Sequence, residues 1–195
     1  MMPRMPFDQR LLAVIDELDQ LGQTRDDAWQ VPRAEGEMLH HIALASNAKS
    51  IIEVGTSYGF SGLFWAAAMQ QTGGRLHTID KDPKKFESSK QTFARAGVDS
   101  VVTNYLGDAQ QLLSTKLEDL AIDLAFIDAD KPATGAYFDL LWPRVSPGGS
   151  ILIDNATTHR EQLADFIRAI RARPDARSTE IAIGNGIEWV IKLRA

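Results

Sequence analysis

At 195 residues, with 44% hydrophobic and 24% charged positions, the chain has the length of one domain with a substantial core and the composition of an ordinary soluble globule. A net charge of −5 removes any general electrostatic case for binding nucleic acid, and the lack of cysteine excludes disulfides and thiolate metal sites. No run approaches the roughly 20 apolar residues of a membrane span, and Met1-Met2-Pro3-Arg4-Met5-Pro6 lacks the apolar core of a secretory signal, so the expectation is a cytoplasmic protein with no membrane partner.

Leu11, Leu12, Ile15 and Leu18 recur at helical spacing within residues 7–21, and Gly22 ends that helix. Residues 22–33 are polar and loop-like. A second helix is predicted over 34–46, with Met38, Leu39, Ile42 and Ala45 turned inward. From there the pattern alternates. Apolar runs at 51–54, 76–79, 100–105, 122–127 and 150–153 read as strands, and 60–71, 83–96, 108–117, 134–144 and 160–172 as the helices between them. Such alternation predicts a parallel sheet with right-handed crossovers. Residues 179–183 and 187–193 flank Gly184-Asn185-Gly186 as a hairpin. The expected fold is α/β, a doubly wound sheet with helices on both faces, closed by an antiparallel C-terminal hairpin.

Two of the predicted strands run out into acid. One reads Leu124-Ala125-Phe126-Ile127-Asp128-Ala129-Asp130-Lys131, the other Ile151-Leu152-Ile153-Asp154-Asn155. Acids at such ends belong to the carboxyl edge of a parallel sheet, where open α/β folds bind ligands. Asp128, Asp154 and Asn155 would offer three oxygen ligands, the preference of a hard divalent cation. Helix capping and loop initiation are the competing reading. Upstream, the first strand feeds Glu53-Val54-Gly55-Thr56-Ser57-Tyr58-Gly59-Phe60-Ser61-Gly62. Gly55 permits a tight turn and a close ligand approach, though the spacing is not the G-x-G-x-x-G dinucleotide fingerprint. The second strand ends in Asp80, roughly twenty residues on, which suits the two hydroxyls of a ribose; a cap before Pro83 is its alternative. Gly107-Asp108-Ala109 after the third strand could flank an adenine.

Taken in order and spacing, these motifs resemble the cation-dependent O-methyltransferases, the family of catechol and caffeoyl-CoA O-methyltransferases. The resemblance runs from about Val31 to the C-terminus. It implies a Rossmann-like, seven-stranded class I sheet in a single domain over residues 1–195, with helices of 1–48 packing on the sheet and 49–195 forming the cofactor-binding core. It implies S-adenosylmethionine as cofactor. Glu53, Gly55, Thr56 and Ser61 would surround its methionine part, Asp80 its ribose, and Asp108 and Ala109 its adenine, while Val31 matches a backbone contact just before the second helix. Asp128, Asp154 and Asn155 match the metal ligands, with Mg²⁺ first and Mn²⁺ or Ca²⁺ as alternatives, Asp128 also bordering the cofactor. Lys131 matches the lysine beside the acceptor oxygen, so Lys131 and Asp128 are the catalytic candidates. The implied partners are a small hydroxyl-bearing acceptor and a second copy of the chain in a homodimer, for which the apolar first helix offers a surface.

The implied reaction is in-line displacement of the sulfonium methyl by an oxygen. A phenol with a pKa near 10 needs activation at neutral pH, which a cation supplies by lowering that pKa. Lys131 could then accept the proton; otherwise it is a surface lysine paired with Asp128 or Asp130. Longer members insert a loop after the Asp-Asn pair, whereas here Ala156-Thr157-Thr158-His159-Arg160-Glu161 leads directly into a helix. That shortness implies an open acceptor site, or one completed by a partner subunit. His159 reads as a second base or as a solvated helix start, and Trp29 as an acceptor wall or as packing. His40-His41 reads as helix surface and partial core, and Glu188 and Lys192 as the outer face of the last strand. An RNA nucleoside O-methyltransferase and a non-catalytic S-adenosylmethionine-binding protein are the competing functions.

Overall fold

Alternating apolar runs and amphipathic stretches become seven strands and seven α-helices in the computed structural model, which describes residues 7–194. Residues 1–6, on which the reading of the N-terminus rests, and Ala195 lie outside the described residues. The chain opens with α1 (Gln9–Thr24), capped by the Asp8 carboxylate, and α2 (Arg33–Ala45). The sheet then begins with β1 (Ser50–Val54), α3 (Phe60–Thr72), β2 (Arg75–Asp80), α4 (Pro83–Ala96) and β3 (Val102–Leu106). It continues through α5 (Ala109–Leu113), β4 (Ile122–Ile127), α6 (Thr134–Leu141), β5 (Val145–Asp154), α7 (Arg160–Arg171), β6 (Ala176–Ile181) and β7 (Ile187–Lys192).

The strand order is β3-β2-β1-β4-β5-β7-β6. β1 to β5 run parallel, and β7 is antiparallel to both β5 and β6. The chain leaves β1 outward to β2 and β3 and returns beside β1 as β4. The loops after β1 and β4 therefore diverge and open a crevice at the carboxyl edge, the topological switch point. One apolar cluster lies between the sheet and α1 to α4, and a second between the sheet and α5 to α7. α3 is apolar around its whole circumference, with Phe60 to Met69 all buried, because the sheet covers one side and α1 and α2 the other. Full burial of side chains such as Phe64 and Leu63 contributes about 1.5–3 kcal/mol each, so α3 anchors the glycine loop that precedes it. Among the described residues no helix is long and apolar enough to cross a membrane.

Several local expectations are corrected. α5 ends at Leu113 rather than 117. Ser114 and Thr115 turn their hydroxyls back onto the carbonyls of Gln110 and Gln111, satisfying those groups outside a helix. In α2, Ala45 is exposed and Met38 only half-buried, while Glu35, Gly36, His40 and Ala43 face inward. Glu188 is not on an outer face. It is fully buried and accepts from Arg171 through both oxygens, at 2.8 and 2.6 Å, because α7 covers that side of the sheet. Lys192 likewise folds back to donate to the Trp142 carbonyl at 2.8 Å.

Candidate active site

The crevice is a cleft of about 470 Å³ lined from the ends of β1, β2, β3, β4 and β5. At β1 the backbone must cross the end of β4. Gly55 has φ +107°, and a Cβ there would overlap the Asp128 carbonyl oxygen, so only glycine fits. The Gly55 and Thr56 amides donate to the Ile79 carbonyl at 3.0 and 3.2 Å, fixing the loop to β2. Beneath the loop lies a closed polar network. Glu53 is fully buried and accepts from Ser61 Oγ and Thr78 Oγ1, both at 2.6 Å, while the Thr56 and Thr78 hydroxyls meet at 2.5 Å. Burial pushes the Glu53 carboxyl up to about 7 against the pull of those two hydroxyls.

Asp80 is not the cap of α4; Asp82 takes that role by accepting from the Lys84 amide at 2.7 Å. Asp80 instead accepts from the Ser57 amide at 2.7 Å and the Asp82 amide at 2.9 Å, one on each oxygen, and borders the cleft. Each oxygen keeps lone-pair capacity for a ligand hydroxyl. Asp108 caps α5 through the Gln111 amide at 2.9 Å and, like Ala109, lines the cleft.

The other end of the cleft is acidic and incompletely paired. Lys131 Nζ donates to Asp128 Oδ1 at 3.3 Å, with both side chains largely shielded. Burial first, and the nearby Asp154 charge second, push the Asp128 carboxyl up. Asp154 is raised for the same first reason, with Glu35 as its next cause. Its Oδ2 accepts from Asn185 Nδ2 at 3.4 Å, and its Oδ1 is buried with no hydrogen-bond partner among the described residues. Asn155 holds φ +67°, a left-handed conformation that asparagine tolerates better than most side chains. Its Nδ2 donates to Thr158 Oγ1 at 3.2 Å. Asp130 also lines the cleft but is engaged there with other groups, accepting from Tyr137 at 2.9 Å and lying 3.9 Å from Lys81.

Of the residues singled out in the sequence, Gly55, Asp80, Asp108, Ala109, Asp128, Asp130, Lys131 and Asn155 share the cleft wall. Val31, Glu53, Thr56, Ser61 and Asp154 do not line it; they are buried directly behind it. His159 lines the cleft from the start of α7, with Nδ1 3.1 Å from Thr158 Oγ1. Trp29 also lines it, 78% exposed, at φ +43°, with Lys85 Nζ 4.3 Å from its ring centroid. Sequence reasoning missed Glu35 and Asn185. The available signal was the i, i+4, i+8 run Val31, Glu35, Leu39, which sets an acid on the apolar face of α2.

Among the described residues no three His, Cys, Asp and Glu side chains are arranged as a metal cluster. The candidate ligand set is two carboxylates and one amide, a different composition.

Residues 9–193 match a family model described as O-methyltransferase. A catechol O-methyltransferase from Niastella koreensis is 35% identical over 150 residues, spanning 76% of this chain and 66% of the relative. The O-methyltransferase TomG from Streptomyces achromogenes, solved in complex with SAM and involved in tomaymycin synthesis, superposes with a TM-score of 0.82 at 25% identity, covering all of this chain and 93% of that one. An O-methyltransferase from Bacillus cereus in complex with SAH superposes with a TM-score of 0.81 at 23% identity, covering 98% of this chain and 93% of that one, a likeness of fold. The matches to the curated relatives span 57–75% of the relatives' own length, and 66% and 58% for two of them.

Proposed function

The chain belongs to the O-methyltransferase family, and from that premise we propose that it transfers the methyl group of S-adenosylmethionine to a hydroxyl oxygen of a small phenolic or catechol-like acceptor. The observation that carries the reading is the two-ended cleft. One end offers a carboxylate suited to a ribose beside a glycine loop, and the other Lys131, Asp128 and Asn155 lining the same space, with Asp154 buried behind them.

In this reading Asp80 accepts from the ribose hydroxyls, Ala109 and Asp108 border the adenine, and Gly55 lets the methionine part pass close to the backbone. Val31, Glu53, Thr56 and Ser61 act from below. The hydroxyls of Ser61 and Thr78 on Glu53 hold the loop and the start of α3 in one shape, so the cofactor meets a preformed wall. Solved relatives carrying SAM or SAH support this cofactor.

The donor set fits a hard divalent cation. Asp154 keeps a buried oxygen without a partner among the described residues, its charge helps to push the Asp128 carboxyl up, and Lys131 is the one cation paired with either among the described residues. Asp128, Asp154 and Asn155 would hold it. Bound there, Mg²⁺ or Mn²⁺ would lower the pKa of the acceptor hydroxyl and hold its oxygen in place. Lys131, tied to Asp128, stands to receive the proton that the hydroxyl releases. Asp128 serves both ends of the cleft: its backbone packs under Gly55 and its side chain orients Lys131. The same reading treats residues 1–195 as one methyltransferase domain that pairs with a second copy.

The test is thermal shift of the full chain with S-adenosylmethionine or NAD, each with and without Mg²⁺, followed by methyl transfer to catechols, hydroxycinnamoyl thioesters and hydroxylated nucleosides. A stabilisation by S-adenosylmethionine alone, and Mg²⁺-dependent methylation of a catechol, are expected. Full turnover in excess chelator would remove the cation from the reading; methylation confined to nucleosides would reassign the acceptor.

A further inference from the structure

Behind the acid end of the cleft lies a carboxylate that the proposed reaction does not use. Glu35 is fully buried in the first turn of α2, and among the described residues no lysine or arginine pairs with it. A leucine at that position would pack without the cost of desolvating an acid. Its neighbours show what the acid does. Glu35 Oε2 accepts from the Asn185 backbone amide at 3.1 Å. Gly184, at φ +56°, lies so close that a Cβ would overlap Oε2, so the turn between β6 and β7 is moulded onto this carboxylate.

The same turn is stitched to the segment that carries the candidate ligands. The Asn185 carbonyl accepts from the amides of Thr157 and Thr158, both at 3.1 Å, and the Gly186 carbonyl from Ala156 at 2.8 Å. Asn185 Nδ2 in turn reaches Asp154 Oδ2 at 3.4 Å. Glu35 Oε1 and Asp154 Oδ1 are each buried with no hydrogen-bond partner among the described residues. Three elements remote in sequence therefore converge on one carboxylate: the start of α2, the end of β5 and the β6–β7 turn.

We infer that Glu35 and Asn185 are a positioning pair: Glu35 fixes the turn at residues 183–186, and through it Asn185 fixes the orientation of Asp154 toward the cation. The inference rests on the proposed cation site. Neither residue lines the cleft, so both act through Asp154 rather than on the substrate.

The experiment is Mn²⁺ binding to the full chain, read by electron paramagnetic resonance of free Mn²⁺, with S-adenosylmethionine affinity measured in parallel. Glu35→Ala should weaken Mn²⁺ by about 10–100-fold, the usual effect of removing a group that orients a metal ligand, and leave S-adenosylmethionine affinity unchanged. Glu35→Gln should restore Mn²⁺ binding, since its carbonyl accepts the Asn185 amide and its NH₂ can donate to Asp154. Asn185→Ala should resemble Glu35→Ala, and the double variant should be no worse than either single change. Wild-type Mn²⁺ affinity in a folded Glu35→Ala protein, or in Asn185→Ala if Glu35→Ala fails to fold, overturns the positioning role. No Mn²⁺ binding by the unaltered chain overturns the cation site itself and this inference with it.

Discussion

The two ends of the cleft handle buried charge in opposite ways. At the β1–β2 end every acid has donors from its own surroundings: hydroxyls on Glu53, backbone amides on Asp80 and Asp108. At the β4–β5 end Asp128, Asp154 and Glu35 lie near one another with Lys131 as the paired cation, and buried oxygens of Asp154 and Glu35 lack donors among the described residues. A site whose acids are satisfied internally is rigid before its ligand arrives. A site left short of positive charge gains most from a bound cation. In the proposed reaction this difference would give shape to the first end and chemistry to the second.

The largest expected effect breaks the second end alone. Lys131→Ala should lower turnover by roughly 10²–10⁴-fold, the usual worth of a positioned base, with S-adenosylmethionine binding intact by calorimetry. Asp130→Asn should leave turnover near that of the parent, because Asp130 is engaged with Tyr137 and Lys81 instead. Equal losses in both variants would show that the acid end is not divided in this way.

Gly55→Ala strikes the point where the two ends touch. Its φ of +107° alone costs about 1–3 kcal/mol for a residue with a side chain, and overlap with the Asp128 carbonyl adds to that. Thermal melting should show the loss, together with weakened cofactor binding. A variant as stable as the parent would mean that the loop is not pinned between β1 and β4.

A third effect separates the ends by pH. The Glu53 carboxyl titrates at about 7 in the fold against 4.5 when free. Between those values the folded chain keeps a proton that the unfolded chain has released, so stability falls as pH rises from about 4.5 to about 7 and is level above. Glu53→Gln should flatten that fall in melts across the same range. A slope unchanged by the substitution would assign the pH dependence to the acid end alone.

Much of this was legible in one sequence because it is local. Strands announce themselves by short apolar runs, and acids at two strand ends mark the carboxyl edge. Gly55 and Asp80 sit where a switch-point crevice needs them. The errors have two causes. The end of α5, the burial of Glu188 and the inward face of α2 each depend on a partner far along the chain or on a hydroxyl competing for the backbone.

The sequence by itself determined the order of elements, the doubly wound sheet and the family, since periodicity, strand-end acids and motif spacing are properties of neighbouring residues. Only the tertiary structure decided which acids are satisfied and which are not. It buried Glu53 under the glycine loop and turned Asp130 toward Tyr137. It also brought the Asn185 backbone amide onto the Glu35 carboxylate, 150 positions away. Burial and hydrogen bonding depend on what packs against a residue, and that is set by the sheet order rather than by the chain on either side of it.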